Sequence, residues 1–381
     1  MGKMKILQVN KLYYPEIGGI EKTLQQISEG LNDTVDLKVL VCQKKGRGAV
    51  EKVNGVEVHR SGSLGVVASV PVSFPFLRDL RRMSKDRDVI QYHLPFPLGD
   101  LGCLLSGYRG KVVAYWHSDV VKQKKWMVFY KPIMKRFLQR ADVILVGAEG
   151  ILEGSRYLKP YREKCKVVPF AVTDDILHAG GDYLAQYGYQ KEKKSINFLF
   201  IGRLVYYKGC SVLLEAFAGL GGEATLTIIG EGSLKAELRQ QAEVYKIADR
   251  VFFKGYVSDS EMKQCMEEAD VFVLPSVERS EAFGLVQLEA MAYGMPVINT
   301  SLPSGVPEVS IHGETGLTVA PGSAGELAAA MEWMVVHPQE RVDMGKTARK
   351  RLEEKYTQEI MVSNIKKIYE ELCKDRNCIE G

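Results

Sequence analysis
The chain has 381 residues, 46% of them apolar, and carries a formal net charge of +4. That length exceeds an ordinary single domain and predicts two, each with apolar content enough for its own core. The mild positive charge gives no reason to invoke nucleic acid, and no apolar run approaches the ~20 residues of a membrane span. The first nine residues run into a strand without the apolar stretch of a signal peptide. Seven scattered cysteines without a C-x-x-C pair predict reduced thiols and a cytoplasmic setting, and the six histidines have no metal-ligand spacing.

Strand-like apolar runs alternate with helical patterns from the start, which predicts an α/β fold with parallel sheets. The first strand, 4–10, leads to Tyr14-Pro15-Glu16-Ile17-Gly18-Gly19-Ile20-Glu21, which opens a helix over 21–31. Gly18 and Gly19 would let phosphate or sugar approach a helix N-terminus closely. Strands follow at 35–42, 89–93, 112–117 and 143–146. The fourth of the five strands delivers His117 at its carboxyl end, where ligands of open α/β sheets bind. Residues 121–140 carry Lys122, Lys124, Lys125, Lys131, Lys135, Arg136 and Arg140 with no acidic residue, interleaved with Trp126, Phe129, Tyr130 and Phe137. That pattern, helical over 131–140, suits docking on an anionic membrane surface. After a short strand at 166–171, the polar, Gly-rich stretch 173–195 reads as an interdomain linker.

A second α/β series has strands at 197–202, 224–230, 250–254, 271–275, 296–300 and 316–319. The first ends in Gly202-Arg203, with Lys208-Gly209 soon after. Two cations beside glycines at a strand end can clamp a diphosphate, each charge-assisted bond contributing on the order of 2 kcal/mol. Gly230-Glu231-Gly232 reads as a tight strand-to-helix turn. In Ser280-Glu281-Ala282-Phe283-Gly284-Leu285-Val286-Gln287-Leu288-Glu289, two carboxylates bracket a helix start near Gly284. Its free N–H groups and dipole favour a diphosphate, while the carboxylates can accept hydrogen bonds from sugar hydroxyls. The final helical region, 338–373, breaks near Tyr356-Thr357.

The G-R-x4-K-G pattern at 202–209 and the E-x7-E pattern at Glu281 and Glu289 resemble glycosyltransferase family 4, retaining enzymes of GT-B architecture. The resemblance covers nearly the whole chain. It implies two Rossmann-like doubly wound domains facing a deep cleft: an acceptor domain at 1–175, with a helix at 357–375 packing back on it, and a nucleotide-sugar donor domain at 190–356. It implies catalytic roles for Glu281, His117, Arg203 and Lys208. Donor binding falls to Gly18, Gly19, Arg203, Lys208, Val257, Glu281, Phe283, Gly284, Leu285, Val286 and Glu289. Val257, in Gly255-Tyr256-Val257, would hold the base through backbone groups. His93 also ends a strand, and the resemblance gives it mainly a structural role. The Asp86-Arg87-Asp88 sequence has the D-x-D form of a metal-nucleotide site in another transferase fold. Because Asp88 directly precedes a strand, it reads as a strand-start residue, and no metal or other cofactor is expected.

Tyr13-Tyr14-Pro15, Trp116-His117-Ser118-Asp119 and Leu302-Pro303-Ser304-Gly305-Val306-Pro307 make the chain most similar to bacterial mannosyltransferase-like enzymes of surface polysaccharide synthesis. The implied reaction moves a hexosyl group, mannose favoured, from a nucleotide sugar such as GDP-mannose to a glycan or lipid-linked glycan, with retention. It would run in the cytoplasm or on the inner face of the membrane. The alternatives are a UDP-sugar-dependent transferase of the same family, a GT-B sugar-nucleotide epimerase, and a catalytically silent binding partner. Neither Arg203 nor Lys208 is expected to be core, so their removal should weaken nucleotide binding with little loss of stability.

Overall fold
The computed structural model describes residues 3–16, 18–67, 70–119, 127–189, 195–222 and 224–377. The chain divides into two compact units, Met1–Phe170 with Gln358–Gly381, and Ala171–Thr357.

In the first unit β1 (Lys5–Val9) starts an α/β series. After α1 (Gly19–Leu31) come β2 (Asp36–Cys42), β3 (Ala49–Val53), β4 (Val56–Ser61) and the short antiparallel pair β5 (Val66–Val67) and β6 (Val70–Pro71). Then follow α2 (Phe74–Met83), β7 (Val89–Leu94), α3 (Pro97–Ser106), β8 (Lys111–Trp116), α4 (Met127–Arg140), β9 (Val143–Val146), α5 (Glu149–Gly154) and β10 (Cys165–Val167). Among the described residues the main sheet has the order β10-β9-β8-β7-β1-β2-β4-β3, parallel except for β3. The strand order reverses between β1 and β7, and such a switch point opens a crevice at the carboxyl ends of the strands. The six predicted strands of this half are present, the last of them shorter than expected; β3 to β6 and α2 have no counterpart among the predicted elements. Ser73 starts α2 by accepting the Phe76 N–H, and Pro75 fits the first turn, where its missing N–H costs nothing.

The second unit opens with a correction. The stretch read as a linker contains a helix, α6 (Asp174–Tyr187), with Asp174 and Asp175 in its first turn, where carboxylates oppose the positive dipole end. Gly180, within α6, is a close-packing device. A Cβ there would lie 2.2 Å from the Ala292 carbonyl oxygen, so only glycine lets α6 approach that backbone. Arg349 holds the same junction, donating to the carbonyls of Leu177 and Ala292.

The unit continues as β11 (Ile196–Ile201), α7 (Cys210–Ala218), β12 (Ala224–Ile229), α8 (Lys235–Val244), β13 (Val251–Gly255), α9 (Asp259–Glu268) and β14 (Val271–Val273). It ends with α10 (Val286–Ala292), β15 (Val297–Thr300), α11 (Val306–Val309), β16 (Gly316–Val319), α12 (Ala324–Val336) and α13 (Pro338–Lys355). Its parallel sheet has the order β13-β12-β11-β14-β15-β16, the doubly wound dinucleotide-fold order, with the switch point between β11 and β14. Phe198, Phe200, Leu226, Ile228, Val271 and Val273 from the strands pack with Leu213, Phe217 and Met331 from the helices. Burying each such side chain stabilises the unit by about 1.5–3 kcal/mol. The break near Tyr356 separates α13 from α14 (Gln358–Asn377), which belongs to the first unit and packs on α1, where Gly30 faces Val362.

None of the six cysteines among the described residues forms a disulfide. No described helix is long and apolar enough to cross a membrane. Asp88 accepts a hydrogen bond from the Lys5 N–H at 2.8 Å, pinning the start of β1, and Asp86 is held by Arg87.

Candidate active site
In the second unit Arg203 and Lys208 follow β11 and Glu281 and Gly284 follow β14, the two strands of the switch point, while Val257 follows the edge strand β13. β11 ends at Ile201, and Arg203 follows with an exposed side chain whose guanidinium donates to the Tyr207 hydroxyl at 2.8 Å. A single 3₁₀ turn, Tyr206–Lys208, then brings Lys208 inward. Gly209 ends that turn at φ +71°, and a Cβ there would fall 1.9 Å from the Pro275 carbonyl oxygen. Both the left-handed backbone and the contact require glycine.

Lys208, assigned from sequence to the diphosphate, and Glu281, assigned to sugar hydroxyls, are partners. Lys208 Nζ lies 2.5 Å from Glu281 Oε2, and the Ser276 hydroxyl donates to the same oxygen at 3.2 Å. Each of the two residues is only 8% exposed. Lys208 is therefore core, against the sequence expectation. Its three N–H donors and the acceptor capacity left on Glu281 let the pair hold each other and still meet a ligand. Ser276 is fixed in turn through its carbonyl, which accepts from Thr300 Oγ1 at 2.7 Å.

The loop from Glu281 to α10 presents backbone to the same region. Phe283 is buried and makes an edge contact with Tyr356 at 6.1 Å, so its side chain is structural and only its backbone can serve a ligand. Gly284 turns at φ +73° beside Leu274 and Gln287, where a side chain would clash. The N–H groups of Gly284, Leu285 and Val286 donate to no described protein group, the unsatisfied set expected at a helix start. Gln287 and Asn299, which the sequence reading missed, hold this loop. Gln287 donates to the Phe283 and Val306 carbonyls and accepts from Asn299, which also bonds the Val306 and Ser310 carbonyls. A buried amide pair has no local sequence signal; only the fold brings these two together. Glu289 lies within α10 and is partly exposed.

Gly230 and Gly232 are packing residues. Cβ atoms there would lie 2.0 Å and 2.2 Å from the Gly202 and Leu204 carbonyl oxygens, so this turn seats against the Arg203 loop. Gly255, at φ +71°, closes β13, leaving Tyr256 89% exposed and Val257 partly exposed beside it.

In the first unit Gly18 is the N-cap of α1 in extended backbone. The space of its missing side chain is taken by Glu21, whose Oε2 would meet a Cβ at 2.3 Å. Glu21 is buried, and its Oε1 has no hydrogen-bond partner. A carboxylate already occupies this helix start, so a phosphate would meet repulsion there, whereas a sugar hydroxyl would find an acceptor.

His117 follows β8, buried, stacked on Phe170 at 5.0 Å with 7° between the planes. Gly147 makes room for that ring, since a Cβ would lie 2.3 Å from it. His93, given a structural role by the resemblance, is directly bonded to His117, Nδ1 to Nε2 at 2.9 Å. Burial pushes the His93 imidazole down to about 3 and, with His93 and Lys11 nearby, holds His117 well below the ordinary histidine value, so both rings are neutral at pH 7.

Lys122, Lys124, Lys125 and Trp126 lie outside the described residues. Of the remaining aromatics in the basic segment, Tyr130 and Phe137 are core, Phe137 meeting Tyr92 edge-on at 5.2 Å. Phe129 is 74% exposed beside the exposed Lys131, Lys135 and Arg136.

A doubly wound unit with two cations, a carboxylate and free N–H groups beside its switch point can hold a phosphorylated ligand. Residues 17–175 match Glycosyltransferase Family 4, and residues 187–351 match Glycosyl transferases group 1. The chain is 33% identical over 356 residues to a D-rhamnosyltransferase of Pseudomonas aeruginosa, covering 93% of this chain and 92% of that one. It is 30% identical over 388 residues to the O-antigen chain mannosyltransferase C of Escherichia coli, covering 98% and 100%. The structure resembles the Anabaena protein Alr3699/HepE, solved in complex with UDP and glucose, with a TM-score of 0.72, 19% identity and coverage of 96% and 99%. The chain belongs to the family 4 glycosyltransferases and is a transferase of the GT-B fold.

Proposed function
We propose that this enzyme transfers a hexosyl group, mannose favoured, from GDP-mannose to a glycan or lipid-linked glycan of a surface polysaccharide, with retention and without a metal. The observation that carries this reading is the buried Lys208–Glu281 pair next to the exposed Arg203 and the free N–H groups at 284–286. Arg203, Lys208 and those N–H groups would bind the diphosphate and stabilise the charge that develops as the sugar leaves. Glu281 would fix donor-sugar hydroxyls while orienting Lys208, and Glu289 the ribose. Val257 would hold the base through its backbone. In the first unit, His117 and Glu21, beside the Gly18-Gly19 turn, would accept hydrogen bonds from sugar hydroxyls. Attack from the leaving-group face, with the diphosphate taking the acceptor proton, would give retention. The mannosyl and rhamnosyl relatives support a sugar of this kind.

Calorimetric titration with GDP, UDP and ADP, each with and without EDTA, tests the donor side. GDP is expected to bind tightest and EDTA to change nothing. A preference for UDP would move the donor to a UDP-sugar, and an affinity abolished by EDTA would end the metal-free reading. Binding of none would remove the clamp and favour a silent partner protein.

The lipid-linked acceptor and a cytoplasmic site of action call for a membrane-facing surface. The exposed Val128 and Phe129 of α4, with Lys131, Lys135 and Arg136, have the mixed apolar and basic character that anionic lipid attracts. Lys131→Glu with Lys135→Glu should release the protein from phosphatidylglycerol-containing vesicles in a flotation assay. Unchanged flotation would leave α4 a packing helix.

A further inference from the structure
A chain of buried polar side chains runs through the first unit from His117 to α14. His117 Nε2 lies 2.9 Å from His93 Nδ1, and His93 Nε2 lies 3.1 Å from Gln8 Oε1. Gln8 Nε2 donates to the Tyr369 oxygen at 3.0 Å, and the Tyr369 hydroxyl donates to Gln91 Oε1 at 2.8 Å. Gln8, Gln91, His93 and Tyr369 are all fully buried. Polar groups this deep are tolerated only when bonded, so their mutual contacts set the direction of every hydrogen bond.

The direction can be followed from the tyrosine. Tyr369 gives its hydrogen to Gln91 and offers its lone pairs to the Gln8 NH2 group, which turns the Gln8 oxygen toward His93. An oxygen at 3.1 Å requires a hydrogen on His93 Nε2. Gln91 Nε2 also lies 3.3 Å from that nitrogen. Were Gln91 the donor there, Gln8 Oε1 would face a nitrogen lone pair at the shorter distance. With its hydrogen on Nε2, neutral His93 accepts at Nδ1, so neutral His117 carries its hydrogen on Nε2. His117 Nδ1 is left as a bare acceptor, with no hydrogen bond to any described group. Stacking on Phe170, with the Tyr115 ring tilted beside it at 4.8 Å, holds the ring plane, so the tautomer is the property left to be set.

We propose that Tyr369, acting through Gln8 and His93, is a positioning residue for transfer: it holds His117 in the Nε2–H tautomer, so that Nδ1 accepts a hydrogen bond from a hydroxyl of the donor sugar. The proposal rests on the reading of His117 as a donor-facing group. It makes α14, remote in sequence from every motif, part of the catalytic apparatus.

The full-length protein labelled with 15N-histidine reports the tautomers directly in two-bond proton–nitrogen correlation spectra. Wild type should show both rings neutral with hydrogen on Nε2. Tyr369→Phe frees the Gln8 amide to turn, so the Nδ1–H form of both rings should appear. Turnover, followed as nucleoside diphosphate release, should fall roughly tenfold with the donor KM little changed, as expected for about one hydrogen bond lost in the transition state. Should Tyr369→Phe fold poorly, Gln91→Met removes the group that orients the Tyr369 hydroxyl and makes the same test. An unchanged tautomer pattern in Tyr369→Phe, with turnover lost in His117→Ala, overturns the relay and leaves the donor reading standing. Wild-type turnover in His117→Ala overturns the donor reading and the proposal with it.

Discussion
Lys208→Ala should lose both nucleotide binding and stability, the second being the effect that sequence alone predicts to be small. The variant strands the Glu281 carboxylate in a site where only 8% of that residue is exposed, with the Ser276 hydroxyl as its remaining partner. Removing one member of a buried pair costs about 3–5 kcal/mol. Glu281→Ala should cost about as much for the reciprocal reason, an unpaired buried ammonium. The double variant Lys208→Met, Glu281→Leu removes both charges and keeps the volume, so its stability should return toward wild type. Urea unfolding of wild type, Lys208→Met, Glu281→Leu and the double variant forms a double-mutant cycle. Additive losses would show that the two charges are solvated independently. Binding gives the second readout. Arg203→Ala, at an exposed position, should weaken nucleoside diphosphate binding roughly tenfold to thirtyfold with stability unchanged, as expected for one charge-assisted bond. Lys208→Ala should do both. Wild-type affinity in both variants would remove the clamp from the mechanism.

Asp100→Asn should stabilise the protein at pH 8 and have little effect at pH 4. Asp100 sits in α3, fully buried; Tyr130 donates to its Oδ2 at 2.5 Å, and Oδ1 has no partner. Burial pushes its carboxyl up to about 8, against an unfolded value of about 3.9. Below pH ~4 both states hold the proton and no penalty exists. Between ~4 and ~8 the folded chain keeps a proton that the unfolded chain releases, so stability falls as pH rises, by about 1.4 kcal/mol per pH unit at most. Asparagine has no proton to lose and keeps an acceptor for Tyr130. The difference in unfolding free energy between variant and wild type should therefore grow from pH 4 to pH 8, reaching several kcal/mol. The buried histidines act in the opposite sense: His93, depressed to about 3, contributes stability above pH ~6.5 that is lost on acidification. Because both proteins share it, it cancels in the difference. A difference independent of pH would mean that Asp100 is ionised in the folded state.

The chain's local patterns determine its class. The alternation of apolar runs and helical periods is visible residue by residue, and it yields the parallel strands of both sheets except β4, with boundaries close to those observed. Arg203, Lys208, Glu281 and Gly284 are also legible, because a phosphate site needs cations, glycine and a helix start at fixed short spacings. Where local signals had two meanings, tertiary packing chose. Glycines at 173–195 suggest a linker, yet Gly180 lies in a helix because a neighbouring backbone carbonyl needs its missing side chain. Phe283 falls within a ligand motif, yet its ring is buried against Tyr356. The partnerships on which the proposed chemistry depends had no sequence signal at all. Lys208 meets Glu281, and Gln8 meets Tyr369, only because strand order and the return of α14 bring distant segments together. Periodicity and propensity are set by neighbours along the chain, whereas the satisfaction of a buried charge or amide is set by neighbours across it.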